Sequence, residues 1–159
     1  MKEIDPRDFR DGLGTFATGV TVITTFSPEG HAVGITVNSF TSVSLDPPLI
    51  LWCLGNDAES YRSFEACSRF SVHILHQGQQ DVSGIFSIRG NNKFANVDWD
   101  SSDFGTPRLA DFTTCLHCAV ETTYAGGDHL IILGRVLRID RGQNSEPLVY
   151  HEGSYRRLA

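Results

Sequence analysis

The run Gly19-Val20-Thr21-Val22-Ile23-Thr24-Thr25, then Ser27-Pro28-Glu29-Gly30, then His31 to Ser39, decides the fold class. The first segment is dense in β-branched residues, whose restricted χ1 suits the pleated strand better than the helix. Proline and glycine in the second are turn chemistry. Two strands around such a turn predict a hairpin. Outward from it, Pro47-Pro48 launches a third strand, Leu49 to Leu54, which reads as apolar on both faces and therefore central and covered. Phe70 to Leu75 is a fourth. Cys115 to Tyr124 and His129 to Ile139 are long later strands, with Gly126-Gly127-Asp128 as the turn between them.

Helices are few and short. Asp5 is placed to cap the first, Pro6 suits its first turn, Phe9 and Leu13 share a face, and Gly12 and Gly14 are expected to stop it. A second is expected to be capped by Asp57 and to run through Tyr61 and Phe64 towards Cys67, and a third spans Gln79 to Phe86. Arg89 to Pro107 reads as an ordered loop. Mostly antiparallel strands with short helices indicate a closed or half-closed barrel.

The 159 residues show no linker tract or repeat, so 1–159 is expected to be a single domain. The formal charge is −6, from 13 basic and 19 acidic residues. That sign disfavours non-specific binding to nucleic acid or anionic membrane, both of which need clustered Lys and Arg. Lys2 and Lys93 are the only lysines, so an anionic ligand would rely mainly on arginine, backbone N–H groups and hydroxyls. No stretch approaches the ~18 apolar residues of a membrane span. The charged start Met1 to Pro6 lacks a secretory apolar stretch, and Cys53, Cys67, Cys115 and Cys118 read as reduced thiols; the expected location is cytoplasmic.

Several motifs match by letters and fail by context. Gly12-Leu13-Gly14-Thr15-Phe16-Ala17 has the dinucleotide pattern, but a helix precedes it and a strand follows, the reverse of what places pyrophosphate at a helix N-terminus. Cys115-Leu116-His117-Cys118 lies in a strand, where residues three apart face opposite ways. Histidines 31, 73, 76, 117, 129 and 151 form no metal-ligand pair, so no metal site is expected. There is no G-x-S-x-G nucleophile elbow and no P-loop.

Three stretches carry candidate chemistry. Thr36 to Pro48 leaves an apolar strand and becomes rich in hydroxyls and amides, which suit a heterocycle with imide edges and can hold phosphate with backbone N–H groups. A loop satisfying its own backbone has the same composition. Arg89, Lys93 and Phe94 bring two cations beside an aromatic ring. His129 follows a Gly-Gly-Asp turn at a strand mouth, placed to donate to a ligand.

Together these stretches resemble one family, the flavin reductase-like split barrels, small NAD(P)H:flavin oxidoreductases of two-component monooxygenases. The resemblance runs through Phe9-Arg10, Phe16 to Thr24, Gly34 to Phe40, Ser42 to Leu49, Lys93-Phe94, Gly127-Asp128-His129, Gly134-Arg135-Val136, Pro147 to Tyr150 and Gly153 to Tyr155. It implies a mainly β fold, a six-stranded antiparallel split barrel with short flanking helices, acting as a homodimer. It implies FMN or FAD as the flavin, NADH or NADPH as hydride donor, and an oxygenase partner that receives reduced flavin. Thr36, Val37, Asn38 and Ser39 match positions at the isoalloxazine edge. Ser42, Ser44 and Leu45 match the phosphate side. Cys53 and Leu54, then Asn56 to Ser60, match the ribityl and phosphate segment. Arg89, Lys93 and Phe94 match the loop over the flavin tail. His129, as the catalytic-site histidine, and Tyr155 match the nicotinamide side. The chain departs from the family at Asn56-Asp57-Ala58, where a lysine and a serine are common, at Asn92, where an acid is common, and at His73, where asparagine is common.

The chemistry so implied belongs to the cofactors and needs no strong protein acid or nucleophile. That accords with the lack of a recognisable triad or carboxylate dyad. Two other functions fit the same barrel: a flavin- or haem-binding protein without turnover, and a flavin-dependent reductase of another acceptor such as a corrinoid.

Overall fold

The computed structural model describes residues 3–90, 92–143 and 146–158. Helix α1 (Pro6–Gly14) is capped by Asp5, whose carboxylate accepts the N–H groups of Arg7 and Asp8 at 2.7 and 3.4 Å. Gly12 does not stop it; the helix runs on to Gly14 and closes at Thr15. The strands that follow are β1 (Thr18–Gly19), β2 (Thr21–Phe26), β3 (Ala32–Val37), β4 (Thr41–Leu45) and β5 (Pro48–Gly55). Helix α2 (Tyr61–Ala66), strand β6 (Arg69–Ile74) and helix α3 (Gln80–Ser87) come next. A 3-10 turn (Lys93–Asn96), β7 (Trp99–Ser101), β8 (Pro107–Leu109), β9 (Thr114–Gly126), β10 (His129–Arg141), β11 (Val149–His151) and β12 (Ser154–Arg156) complete the order.

The β2–β3 hairpin forms across the expected turn, with Thr21 opposite Val37 and Phe26 opposite Ala32. The main sheet is antiparallel, in the order β3-β2-β6-β9-β10-β5-β4. It has seven strands rather than six, because the hydroxyl-rich stretch after β3 is itself a strand and pairs with β5. Alternating Ser/Thr with Val and Leu satisfies strand geometry as well as loop chemistry, so composition alone could not separate the two. The stretch read as a loop holds the β7–β8 ribbon, and β1, β11 and β12 form a small third sheet. Helix α2 begins after Ser60, so Asp57 lies outside it and does not cap it.

Two apolar clusters lie on either face of the sheet. One gathers Ile23, Ile50, Trp52, Leu54, Phe64 and Phe70, with the Trp52 and Phe64 rings edge to face at 5.0 Å. The other packs Val20, Val22, Leu75, Phe86, Leu109 and Leu148. Each such large side chain contributes about 1.5–3 kcal/mol by leaving water. Strand β2 is therefore buried on both faces. Strand β5 is not: Ile50, Trp52 and Leu54 are buried, whereas Leu49, Leu51 and Cys53 are half-exposed. Gly34 allows the Phe86 ring to lie against β3, since a Cβ there would sit 2.6 Å from it.

Two histidines are wholly structural. His73 sits between β2 and β8, its Nδ1 3.1 Å from the Val22 carbonyl and its Nε2 accepting the Leu109 N–H at 3.1 Å. His117 lies 3.0 Å from both Ser71 Oγ and Asp140 Oδ2, under the stacked ring of Phe104. The flanking thiols of Cys115 and Cys118 are pushed up to about 12 by burial, so neither is a nucleophile.

Candidate functional site

Strand β5 and the β9–β10 turn build the centre of the site. His129 pairs with Gly55 across the sheet, and Gly127, with φ 72°, adopts the left-handed backbone that the turn needs. Asn56 fastens the two segments: its N–H reaches the Asp128 carbonyl at 2.9 Å and its amide the Gly127 carbonyl at 3.2 Å. Asp128 Oδ1 lies 2.7 Å from His129 Nδ1, and that bond holds the Asp128 carboxyl below its ordinary range. With Nδ1 occupied, Nε2 is the ring atom left for a ligand. A Cβ placed on Gly55 would be 3.1 Å from Asp57 Oδ1 and 3.9 Å from His129 Nε2. The bare backbone of Gly55 is thus a floor between two polar side chains.

The loop after α3 closes on the same place. Arg89 Nη2 lies 3.3 Å from both the carbonyl and the carboxylate of Asp57. The Gly90 N–H donates to Glu59 Oε2 at 2.8 Å. Lys93 Nζ lies 3.3 and 3.5 Å from the carbonyls of Phe86 and Gly34, and half-burial holds its pKa below the usual lysine range. Phe94 packs edge to face on Phe86 and Trp99, at 5.0 and 5.1 Å, rather than offering a free ring.

The hydroxyls expected at the ring edge are already used. Thr36 Oγ1 donates to the Ser83 carbonyl at 2.7 Å, on the α3 side of β3. Ser39 Oγ accepts the Cys53 N–H and donates to the Cys53 carbonyl. The Leu54 side chain is fully buried in the core, so only its backbone faces the site, and Val37 packs on the same core. Leu45 is almost fully exposed on the β4 edge. Asn38 and Ser42 are exposed, and Ser44 and Ser60 half-exposed, without a side-chain hydrogen bond to any described residue. Tyr155 meets Ser83 Oγ at 2.7 Å and so joins Thr36, whereas His129 joins Asp128; no described hydrogen bond links the two groups.

Asp57 and Glu59 fall inside the 56–60 segment expected at the ribityl and phosphate, but their pairing with Arg89 and Gly90, and the role of Ser83 as partner of Thr36 and Tyr155, depend on contacts about thirty residues or more along the chain. A cleft of about 400 Å³ opens elsewhere, among Phe26, Pro28, Ser63, Cys67, Arg69 and Phe104, and no candidate residue lines it.

Donors for phosphate oxygens (Arg89, Lys93 and the Gly90 N–H), unengaged amide and hydroxyl groups, and a glycine floor beside an outward imidazole nitrogen fit a flat-ringed nucleotide. The described residues hold no group of three or more His, Cys, Asp or Glu side chains suited to a metal ion, and no helix long and apolar enough to cross a membrane.

Comparison with known proteins agrees with that chemistry. Residues 13–159 match the family model described as a flavin reductase like domain. The reductase subunit HsaB of a flavin-dependent monooxygenase from Rhodococcus jostii is 39% identical over 152 residues, covering 96% of this chain and 77% of HsaB. The FMN reductase (NADH) SmoA of Agrobacterium fabrum is 39% identical over 153 residues, covering 96% and 86%. The solved structure of the Streptomyces globisporus NADH:FAD oxidoreductase SgcE6, in complex with NAD and FAD fragments, superposes with a TM-score of 0.91 at 38% identity, the match covering 100% of this chain and 98% of that one. Against a Rhizobium meliloti relative, 43% identical over 152 residues, the chain spans about half the length, 48%. Sequence and fold agree: this chain belongs to the flavin reductase-like domain family.

Proposed function

We propose that the protein is an NADH:flavin oxidoreductase that reduces FMN or FAD and releases it to an oxygenase component. The convergence of His129, Gly55 and Arg89 around the Asp57 side chain carries this reading. Bound flavin and nicotinamide supply the hydride chemistry, and the chain's residues bind and orient them. Arg89, Lys93 and the Gly90 N–H take phosphate oxygens, and Asn38, Ser42 and Ser44 offer further donors. Asp128 fixes the His129 ring so that Nε2 meets the nicotinamide nucleotide. With Thr36 and Ser39 engaged internally, the ring edge of the flavin relies on backbone N–H groups of the same segment. The Cys53 thiol is pushed up by desolvation and remains protonated beside the ring.

The same reading makes the protein a homodimer, with a second copy covering the β4 edge at Val43 and Leu45 and the half-exposed face of β5. Four free cysteines suit the reducing cytoplasm. The test is initial-rate oxidation of NADH with FMN, FAD or no flavin. Many turnovers per protein with one flavin support the reading, and at most one turnover with either overturns it.

A further inference from the structure

Two carboxylates stand where a reading of this site as a phosphate cradle needs an anion. Arg89 Nη2 reaches the Asp57 carboxylate at 3.3 Å, and the Gly90 N–H gives its hydrogen bond to Glu59 Oε2 at 2.8 Å. Glu59 also attracts the Lys93 ammonium, which is otherwise penalised by burial. So the Arg89 guanidinium and the Gly90 amide face two acids from the 56–60 loop. A carboxylate and a phosphate oxygen ask for the same donors.

We propose that Asp57 and Glu59 act as internal stand-ins for the flavin phosphate, holding Arg89 and Gly90 in the flavin-free protein and competing with the nucleotide for their donors. This rests on the flavin reading above. The acids are not needed for folding: the Asp57 side chain is 87% exposed and Arg89 69% exposed, and exposed pairs of this kind are weak. A weak internal ligand is what an exchanging site requires. It keeps the donors arranged between turnovers, yields to phosphate on binding, and then repels it, which speeds release. A flavin without the phosphate does not compete with the two carboxylates for the Arg89 and Gly90 donors.

The test compares FMN with riboflavin, which has the same ring and no phosphate. Dissociation constants are measured by quenching of flavin fluorescence, for the parent chain and for Asp57→Asn, Glu59→Gln and the double variant. The double variant should bind FMN about three- to tenfold more tightly, with riboflavin unchanged. Added salt should narrow the gain, because both partners are exposed. An unchanged FMN constant, or an equal change for riboflavin, overturns the proposal while leaving the flavin reading intact. A parent chain that quenches none of FMN, FAD and riboflavin overturns both. Circular dichroism of each variant separates a binding effect from a folding one.

Discussion

Ser39 Oγ is bonded to both backbone groups of Cys53, accepting its N–H at 2.9 Å and donating to its carbonyl at 3.1 Å. The chain leaving β3 is thereby tied to β5, beyond the last residue of β5 that β4 pairs, Leu51. A single hydroxyl thus stands in for a strand at the open seam of the barrel. Ser39→Ala leaves a half-buried N–H and carbonyl without their partner, at a cost of about 1–3 kcal/mol. Thr36→Val loses one bond to Ser83 and costs about 1 kcal/mol. Urea unfolding should show both losses, with the serine variant the less stable. Stability equal to the parent for Ser39→Ala would remove the seam role.

His129→Ala should raise the apparent KM for NADH about three- to tenfold, the worth of one hydrogen bond, and change that for flavin less. Steady-state kinetics with each substrate varied in turn reads the difference. Equal effects on the two constants would reject the assignment of Nε2 to the nicotinamide side.

Leu45 is 96% exposed and Val43 47% exposed on an edge strand whose outer groups have no partner among the described residues. Leu45→Asp with Val43→Asp should leave a species near the chain mass of 17.5 kDa in sedimentation, where the parent runs at twice that mass. A parent that sediments as a monomer would dismiss the dimer directly.

The hairpin and the two long late strands were readable because each rests on local chemistry: β-branched runs, a Pro-Gly turn, a Gly-Gly-Asp turn. What was not readable depended on contacts far along the chain. Thr41 to Leu45 became a strand only because β5 offered it an edge. Leu49, Leu51 and Cys53 look as apolar as Ile50, Trp52 and Leu54, yet the residues that cover one set and leave the other half-bare come from distant elements. The candidate site shows the same division. Residue chemistry and the family resemblance pointed to Asn56, Arg89, Lys93 and His129 as candidates, but only the fold reveals that Thr36 and Ser39 spend their hydroxyls on the backbone and that Asp57 and Glu59 pair with Arg89 and Gly90.

His73 makes stability depend on pH. It is fully buried, between the Val22 carbonyl of β2 and the Leu109 N–H of β8, against the Phe112 ring, with Arg108 and His117 as its nearby charged or titratable neighbours. Desolvation, with Arg108 and His117 adding to it and the Val22 bond opposing it, lowers its pKa to about 4 from the ordinary 6.5. A proton on Nε2 would also point at the Leu109 N–H. Between those two values the unfolded chain binds the proton and the folded chain does not, so stability rises with pH across that window. The contribution is fully present above pH 6.5 and is lost as pH falls towards 4, to a total of about 3 kcal/mol. The carboxylates held low by partners, such as Asp140 beside His117 and Arg138, lose theirs further down, below the ordinary carboxylate range. Urea unfolding at pH 7.0, 6.0 and 5.0 should therefore show a falling free energy in the parent. His73→Gln, whose amide can give to Val22 and accept from Leu109 without titrating, should be less stable at pH 7 and much flatter between pH 6.5 and 5. Parallel slopes for the two proteins over that interval would place the pH dependence on another group.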